Sequence, residues 1–123
     1  MQLDKLCVAY FSPTHTSMKI ARAIADGTRI ARREEIDLTT DPDDTPVAVR
    51  KAICIVAAPV YGGLVAPLAV RRIARLRAEN SIAIPVVVYG NRDYEDALVQ
   101  LRDLLHAQVF TPLCVAAFVG VHS

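Results

Sequence analysis

The residues best suited to chemistry in this 123-residue chain form the hydroxyl-rich run Ser12-Pro13-Thr14-His15-Thr16-Ser17. It follows the apolar stretch Leu6-Cys7-Val8-Ala9-Tyr10-Phe11 and leads at once into a helical pattern. The first amides of a helix lack intrahelical acceptors, and the helix dipole leaves partial positive charge there. Hydroxyl donors added to those amides make a cradle suited to a phosphate group. No Lys or Arg lies in the run, so neutral donors would hold the anion. The plainer alternative is a Ser/Thr helix cap with no ligand. Two further stretches carry binding-loop chemistry, Pro59-Val60-Tyr61-Gly62-Gly63 and Tyr89-Gly90-Asn91-Arg92-Asp93-Tyr94. They combine glycines, which permit close backbone approach, with tyrosines able to wall a flat, amphipathic ring.

These stretches need a frame, and the apolar runs supply it. Runs at 6–11, 52–58, 84–89 and 111–119 are short, almost wholly apolar and bounded by turn residues, as expected of strands buried on both faces. Arg33-Glu34-Glu35-Ile36-Asp37-Leu38 is half-polar and fits an edge strand. Between the strands, Met18, Ile20, Ala21, Ile24 and Ala25 make a helical stripe, with Gly27 as its C-cap. A second helix is expected over 66–78, with Pro67 in its first turn and Leu68, Ala69, Ile73 and Leu76 facing inward. Its other side carries Arg71, Arg72, Arg75 and Arg77, read as a solvated face or as a docking patch for an acidic partner. A third helix is expected after an Asp93 N-cap, lined by Leu98, Leu101, Leu104 and Leu105. The loop at 39–46 leaves room for one short turn near 46–49. Strands alternating with helices define an α/β protein, an open doubly wound parallel sheet. In such sheets ligands bind beyond the carboxyl ends of the strands, where the strand order reverses. The three loops above converge at that edge.

Composition narrows the function classes. The length suits a single domain over 1–123, and 53% hydrophobic residues exclude a disordered chain. A net charge of +1 gives no electrostatic case for nucleic acid as a partner. No apolar run has the length of a membrane span, and the first residues lack a signal-peptide pattern. Cys7, Cys54 and Cys114 each sit singly in an apolar run, which points to reduced core thiols, a cytoplasmic protein and no metal site.

The run 12–17 resembles the phosphate-binding loop of flavodoxins, Thr/Ser-x-Thr-Gly-x-Thr, with His15 where that family usually has glycine. Pro13 and the preceding Tyr10-Phe11 are similar to the branch in which a flavodoxin-like domain precedes a ferredoxin-like domain with iron–sulfur clusters. The stretches 59–63 and 88–97 resemble that family's second and third flavin loops. The resemblance implies a flavodoxin-like fold with strand order 2-1-3-4-5 and FMN as cofactor. It implies phosphate contacts from Ser12, Thr14, His15, Thr16 and Ser17. Ring contacts would come from Pro59, Val60, Tyr61, Gly62, Gly63, Gly90, Asn91, Arg92 and Tyr94. The function implied is an FMN-binding electron-transfer domain, its partner a redox protein or a fused ferredoxin-like domain holding the iron–sulfur clusters. A flavodoxin-like interaction or scaffold domain without flavin, and an FMN-dependent NAD(P)H:quinone-type reductase, are the alternatives.

Rival readings fail on particular residues. A receiver domain needs acidic residues after its first strand, where this chain has Tyr10-Phe11. A low-molecular-weight phosphatase needs a Cys and an Arg flanking the first loop, and Pro13 stands where the Arg should be. Glycine-rich nucleotide motifs are absent, since no Gly precedes Gly27. In the flavodoxin-like fold a last helix follows strand five, and 120–123 leaves no residues for it. The expectation is therefore a C-terminally truncated domain or part of a larger protein. The first helix would stand alone on one face, and Val, Ile and Cys side chains would face water unless another copy covers them.

Overall fold

Apolar residues fill the strands in the middle of the sheet, where both faces are covered. The computed structural model describes residues 3, 5–40, 44–89, 95–112 and 116–119. In chain order the elements are β1 (Lys5–Tyr10), α1 (Thr16–Thr28), β2 (Arg33–Asp37), β3 (Val47–Arg50), β4 (Ala52–Tyr61), β5 (Leu64–Val65), α2 (Pro67–Ile73), β6 (Leu76–Glu79), β7 (Ile82–Tyr89), α3 (Glu95–Ala107), β8 (Thr111–Pro112) and β9 (Ala116–Val119). The main sheet runs β2-β1-β4-β7, all parallel, with β8 and β9 both pairing the far side of β7. This is the expected 2-1-3-4-5 order, its fifth position shared by two short strands.

Alternation along the strands sorts the core into two layers. Leu6, Val8, Tyr10, Ile55, Ala57, Val86 and Val88 pack under Ala21 and Ala25 of α1. Cys7, Ala9, Cys54, Val56 and Val87 face the other way, against α2, α3 and the β3–β6 pair. Cys7 and Cys54 are register partners and fully enclosed. Their mutual hydrogen bond, together with burial, pushes the Cys54 thiol well up. Cys114 lies outside the described residues. The face under α1 is less open than the sequence suggests. The helix reaches β7 as well as β1 and β4, Val86 and Val88 are buried, and Ile53 and Ile84 are half-covered. The two cysteines lie on the opposite face.

The largest departure from expectation is between β2 and β7. The helix expected over 66–78 stops at Ile73, and 76–79 forms β6. The expected turn near 46–49 is instead β3, and the two pair in parallel, Val47 with Leu76 and Arg50 with Glu79. Contacts distant in sequence override local helix preference here. Arg75 is buried, and its Nε donates to the Thr45 carbonyl at 3.0 Å. Gln108 on the chain after α3 donates to the carbonyls of Ala74 and Leu76, both at 2.7 Å. The Ser81 hydroxyl donates to the Val49 carbonyl at 3.1 Å and accepts the Ala52 N–H at 3.2 Å. Backbone groups that a longer helix would have satisfied internally are thus satisfied across the fold. A smaller correction concerns α1: Gly27 lies inside it, and the left-handed cap is Arg29 at φ 58°.

Of the arginines expected on a solvated or partner-docking face, Arg72 and Arg75 turn toward the protein, whereas Arg71 and Arg77 are exposed. Arg72 and Arg77 donate to main-chain carbonyls, as Arg75 does, and Arg71 pairs with Asp44 at 3.3 Å. Arg71, Arg72 and Arg75 tie α2 and its exit to the 38–45 segment.

Candidate functional site

The site lies where β1 and β4 end side by side. Phe11 N–H donates to the Ala57 carbonyl at 3.0 Å, so the chain after β1 leaves the sheet directly beside the last residues of β4. Loop 12–17 then folds back into α1. The His15 N–H donates to the Ser12 carbonyl at 3.2 Å, closing a tight turn. His15 is the N-cap residue of α1 and is left-handed, with φ 66° and ψ −1°. That is the conformation glycine adopts most freely, and it explains why the resembled motif carries glycine there.

The loop satisfies part of the helix end and leaves part available. The buried Ser12 accepts the Met18 N–H on its Oγ at 2.9 Å, so a serine three residues before the N-cap does the capping. Lys19 N–H reaches the His15 carbonyl at 3.0 Å. Among the described residues nothing accepts the N–H of Thr14, Thr16 or Ser17. The cap is thus made by Ser12, and the amides of Thr14, Thr16 and Ser17 stay open. Pro13, Thr14 and His15 are exposed, Thr16 is half-buried and Ser17 is buried. Thr14 Oγ1 and Thr16 Oγ1 lie 3.4 Å apart. Three open amides, two adjacent hydroxyls, a 13-residue helix dipole and no carboxylate in the loop make chemistry suited to an anion.

Across the edge, β4 continues through Pro59, Val60 and Tyr61 before turning at Gly62-Gly63 into β5. The glycines have φ 63° and 84°, the two left-handed positions of a two-residue hairpin. Tyr61 and Leu64 face each other across it, both about half exposed, while Val65 is buried. The Ala66 N–H donates to the Pro59 carbonyl and the Val65 N–H to Gln100 Oε1, which seats the hairpin against α3. A Cβ added at Gly62 would meet nothing within 4 Å, so the space beside the turn is open. An exposed aromatic ring beside open space and main-chain groups suits the edge or face of a flat heterocycle. Gly90, Asn91, Arg92 and Tyr94, expected as the third wall, lie outside the described residues, as does Asp93.

Sequence reasoning missed the partners that hold these loops. Thr39 Oγ1 accepts the Ser12 N–H at 2.8 Å, and the Thr39 N–H donates in turn to Asp37 Oδ1. Asp37-Leu38-Thr39 is an Asx-turn pattern legible in sequence, but its link to Ser12 is not. Behind the loop, Tyr10 donates to Glu35, and Arg22 holds the same carboxylate oxygen through Nε and Nη2. This joint fastens α1 to β1 and β2. Burial first, and the bond to Glu35 second, push the Tyr10 phenol up to about 12. The Arg22 guanidinium, aided by Tyr10, holds the Glu35 carboxyl below its usual range.

No helix among the described residues is long and apolar enough to cross a membrane, and no group of three metal-ligating side chains gathers there. No protein-family model matches the chain, and no curated protein matches it. Solved structures do. An NADH:FMN oxidoreductase (EMOB), in its apo form, superposes with a TM-score of 0.70 at 18% identity, over 94% of this chain and 75% of that one. A flavodoxin from Streptococcus pneumoniae TIGR4 gives 0.67 at 17%, over 97% and 86%. A flavoprotein in complex with FMN from Lactobacillus acidophilus NCFM gives 0.62 at 14%, over 92% of each chain. The chain is an open doubly wound α/β protein. Its fold is flavodoxin-like.

Proposed function

We propose that this chain is an FMN-binding electron-transfer domain. The observation that carries the reading is loop 12–17, with the amides of Thr14, Thr16 and Ser17 and the hydroxyls of Thr14 and Thr16 offered at the positive end of α1. Those groups would hold the FMN phosphate. Ser12, fixed by Thr39 and Met18, keeps the turn in shape. Tyr61 and the Gly62-Gly63 turn would flank the flavin ring, and the family resemblance adds Gly90, Asn91, Arg92 and Tyr94 as further ring contacts. Bound FMN supplies one- and two-electron redox chemistry; the protein supplies position and electrostatics. The three structural neighbours above, one holding FMN and another an NADH:FMN oxidoreductase, support the cofactor. A redox protein or a fused ferredoxin-like domain with iron–sulfur clusters would donate or accept the electrons.

Titrating the purified chain with FMN while following flavin fluorescence tests the proposal. Saturable quenching at micromolar or tighter affinity is expected. Absence of saturation would leave a flavodoxin-like scaffold. Steady NAD(P)H consumption by the loaded chain with a quinone acceptor would move the assignment from carrier to reductase.

A further inference from the structure

We infer that Thr39, in the turn after β2, is a positioning residue for the phosphate end of the ligand: its hydroxyl oxygen sets loop 12–17 from outside the loop, and the preference of this chain for FMN over riboflavin depends on it. The inference rests on the FMN reading above and concerns specificity at the same site.

Loop 12–17 turns on one residue. Ser12 is buried, and its N–H, carbonyl and hydroxyl are all engaged. The carbonyl accepts the His15 N–H at 3.2 Å, which closes the turn. Oγ accepts the Met18 N–H at 2.9 Å, which joins the turn to the start of α1. The Ser12 N–H donates to Thr39 Oγ1 at 2.8 Å, a contact from 27 residues away in sequence. The first two bonds shape the loop, and the third fixes where it stands against the end of β2.

Thr39 is itself held. Tyr10 and Asp37 are register partners at the ends of β1 and β2, so Ser12 and Thr39 stand at matching places beyond the ladder. The Leu38 N–H donates to the Tyr10 carbonyl at 2.9 Å, and Leu38 is fully buried. The Thr39 N–H donates to Asp37 Oδ1 at 2.9 Å. The acceptor for Ser12 is thus fixed by the protein's own bonds, which lowers the ordering cost that ligand binding must meet. Thr39→Val keeps the size of the side chain but removes the acceptor, and an enclosed N–H without a partner favours a shifted backbone. The open amides of Thr14, Thr16 and Ser17 follow Ser12 directly in the chain, so a displaced Ser12 displaces them. FMN and riboflavin share the ring and differ in the phosphate, so an effect confined to this loop separates the two.

The test compares FMN and riboflavin titrations, followed by flavin fluorescence, for the wild type, Thr39→Val and Thr39→Ser, with thermal melts of each chain. Thr39→Val should weaken FMN binding about five- to tenfold and leave riboflavin binding within about twofold. Thr39→Ser, which keeps the acceptor, should restore the FMN affinity. A loss of folded protein lowers both affinities alike and leaves their quotient unchanged. Should riboflavin fail to saturate the wild type, the FMN affinities of the two variants, taken well below their melting temperatures, decide alone. Unchanged FMN binding in Thr39→Val, riboflavin binding weakened by the same factor, or no recovery in Thr39→Ser overturns this inference and leaves the FMN assignment standing. No saturable FMN binding by the wild type overturns both.

Discussion

Two turns border the same edge of the sheet, and they meet the same backbone demand differently. The hairpin at Gly62-Gly63 needs two left-handed residues and fills both with glycine. Loop 12–17 needs one and fills it with histidine. The hairpin is therefore nearly free of local strain and offers backbone, open space and a flanking tyrosine. Loop 12–17 accepts a strained residue, costing about 1 kcal/mol, at an exposed position. Their anchors differ as well. The hairpin is tied to α3 by the neutral Gln100, whereas the helix behind the loop is tied down by Tyr10, Glu35 and Arg22, all ionisable. The contrast indicates that one side of the site is built for shape and the other for charge.

The strongest way to break the loop side is Ser12→Ala. It removes the acceptor for the Met18 N–H in a buried setting, and a loss of about 1–2 kcal/mol is expected in denaturant unfolding, with FMN affinity falling in parallel. An unchanged midpoint would mean that the loop does not depend on this cap. Substitutions at the two left-handed positions give a smaller and unequal pair. Gly62→Ala should destabilise by about 1 kcal/mol through strain alone, since its Cβ would have room. His15→Gly should change stability by less than about 0.5 kcal/mol, because relief of strain is offset by a more flexible unfolded chain. Equal effects at the two positions would erase the distinction drawn above.

The smallest effect is in the pH profile. Tyr10 has a folded-state value above its unfolded one, so its contribution is complete below about pH 10 and is lost as pH rises toward about 12. Glu35 has a folded-state value below its unfolded one, so its contribution is present above about pH 4.3 and disappears as pH falls further. Thermal melts against pH should slope at both extremes, and Glu35→Gln should flatten the acid limb. Gln100→Ala should leave both slopes unaltered, since the hairpin anchor carries no proton in this range.

The sheet order was readable because its central strands are continuous apolar runs, a pattern few other environments allow. β3 and β6 escaped notice for physical reasons. Val47-Ala48-Val49-Arg50 is too short to announce a strand, and Leu76-Arg77-Ala78-Glu79 is made of good helix formers. Only their mutual pairing, and the bonds from Arg75, Ser81 and Gln108, decide the outcome. At the site, the hydroxyl run and the glycine pair were legible because each supplies local chemistry. Thr39 and Gln100 were not, since they act on residues far away in sequence.

The β3–β6 ladder also bears on how the chain reaches this state. A helix in either place would form from neighbouring residues within microseconds. The ladder instead joins Val47 to Leu76, with β4, the hairpin and α2 between them. It cannot assemble until that whole segment has been brought into place, and the entropy of closing so long a loop must be met before any pairing rewards it. Exchanging local for distant contacts raises the contact order of this part of the chain, whose two strands form a small sheet of their own. The flank beside α2 should therefore be the last part of the molecule to fold and the first whose amides exchange with solvent.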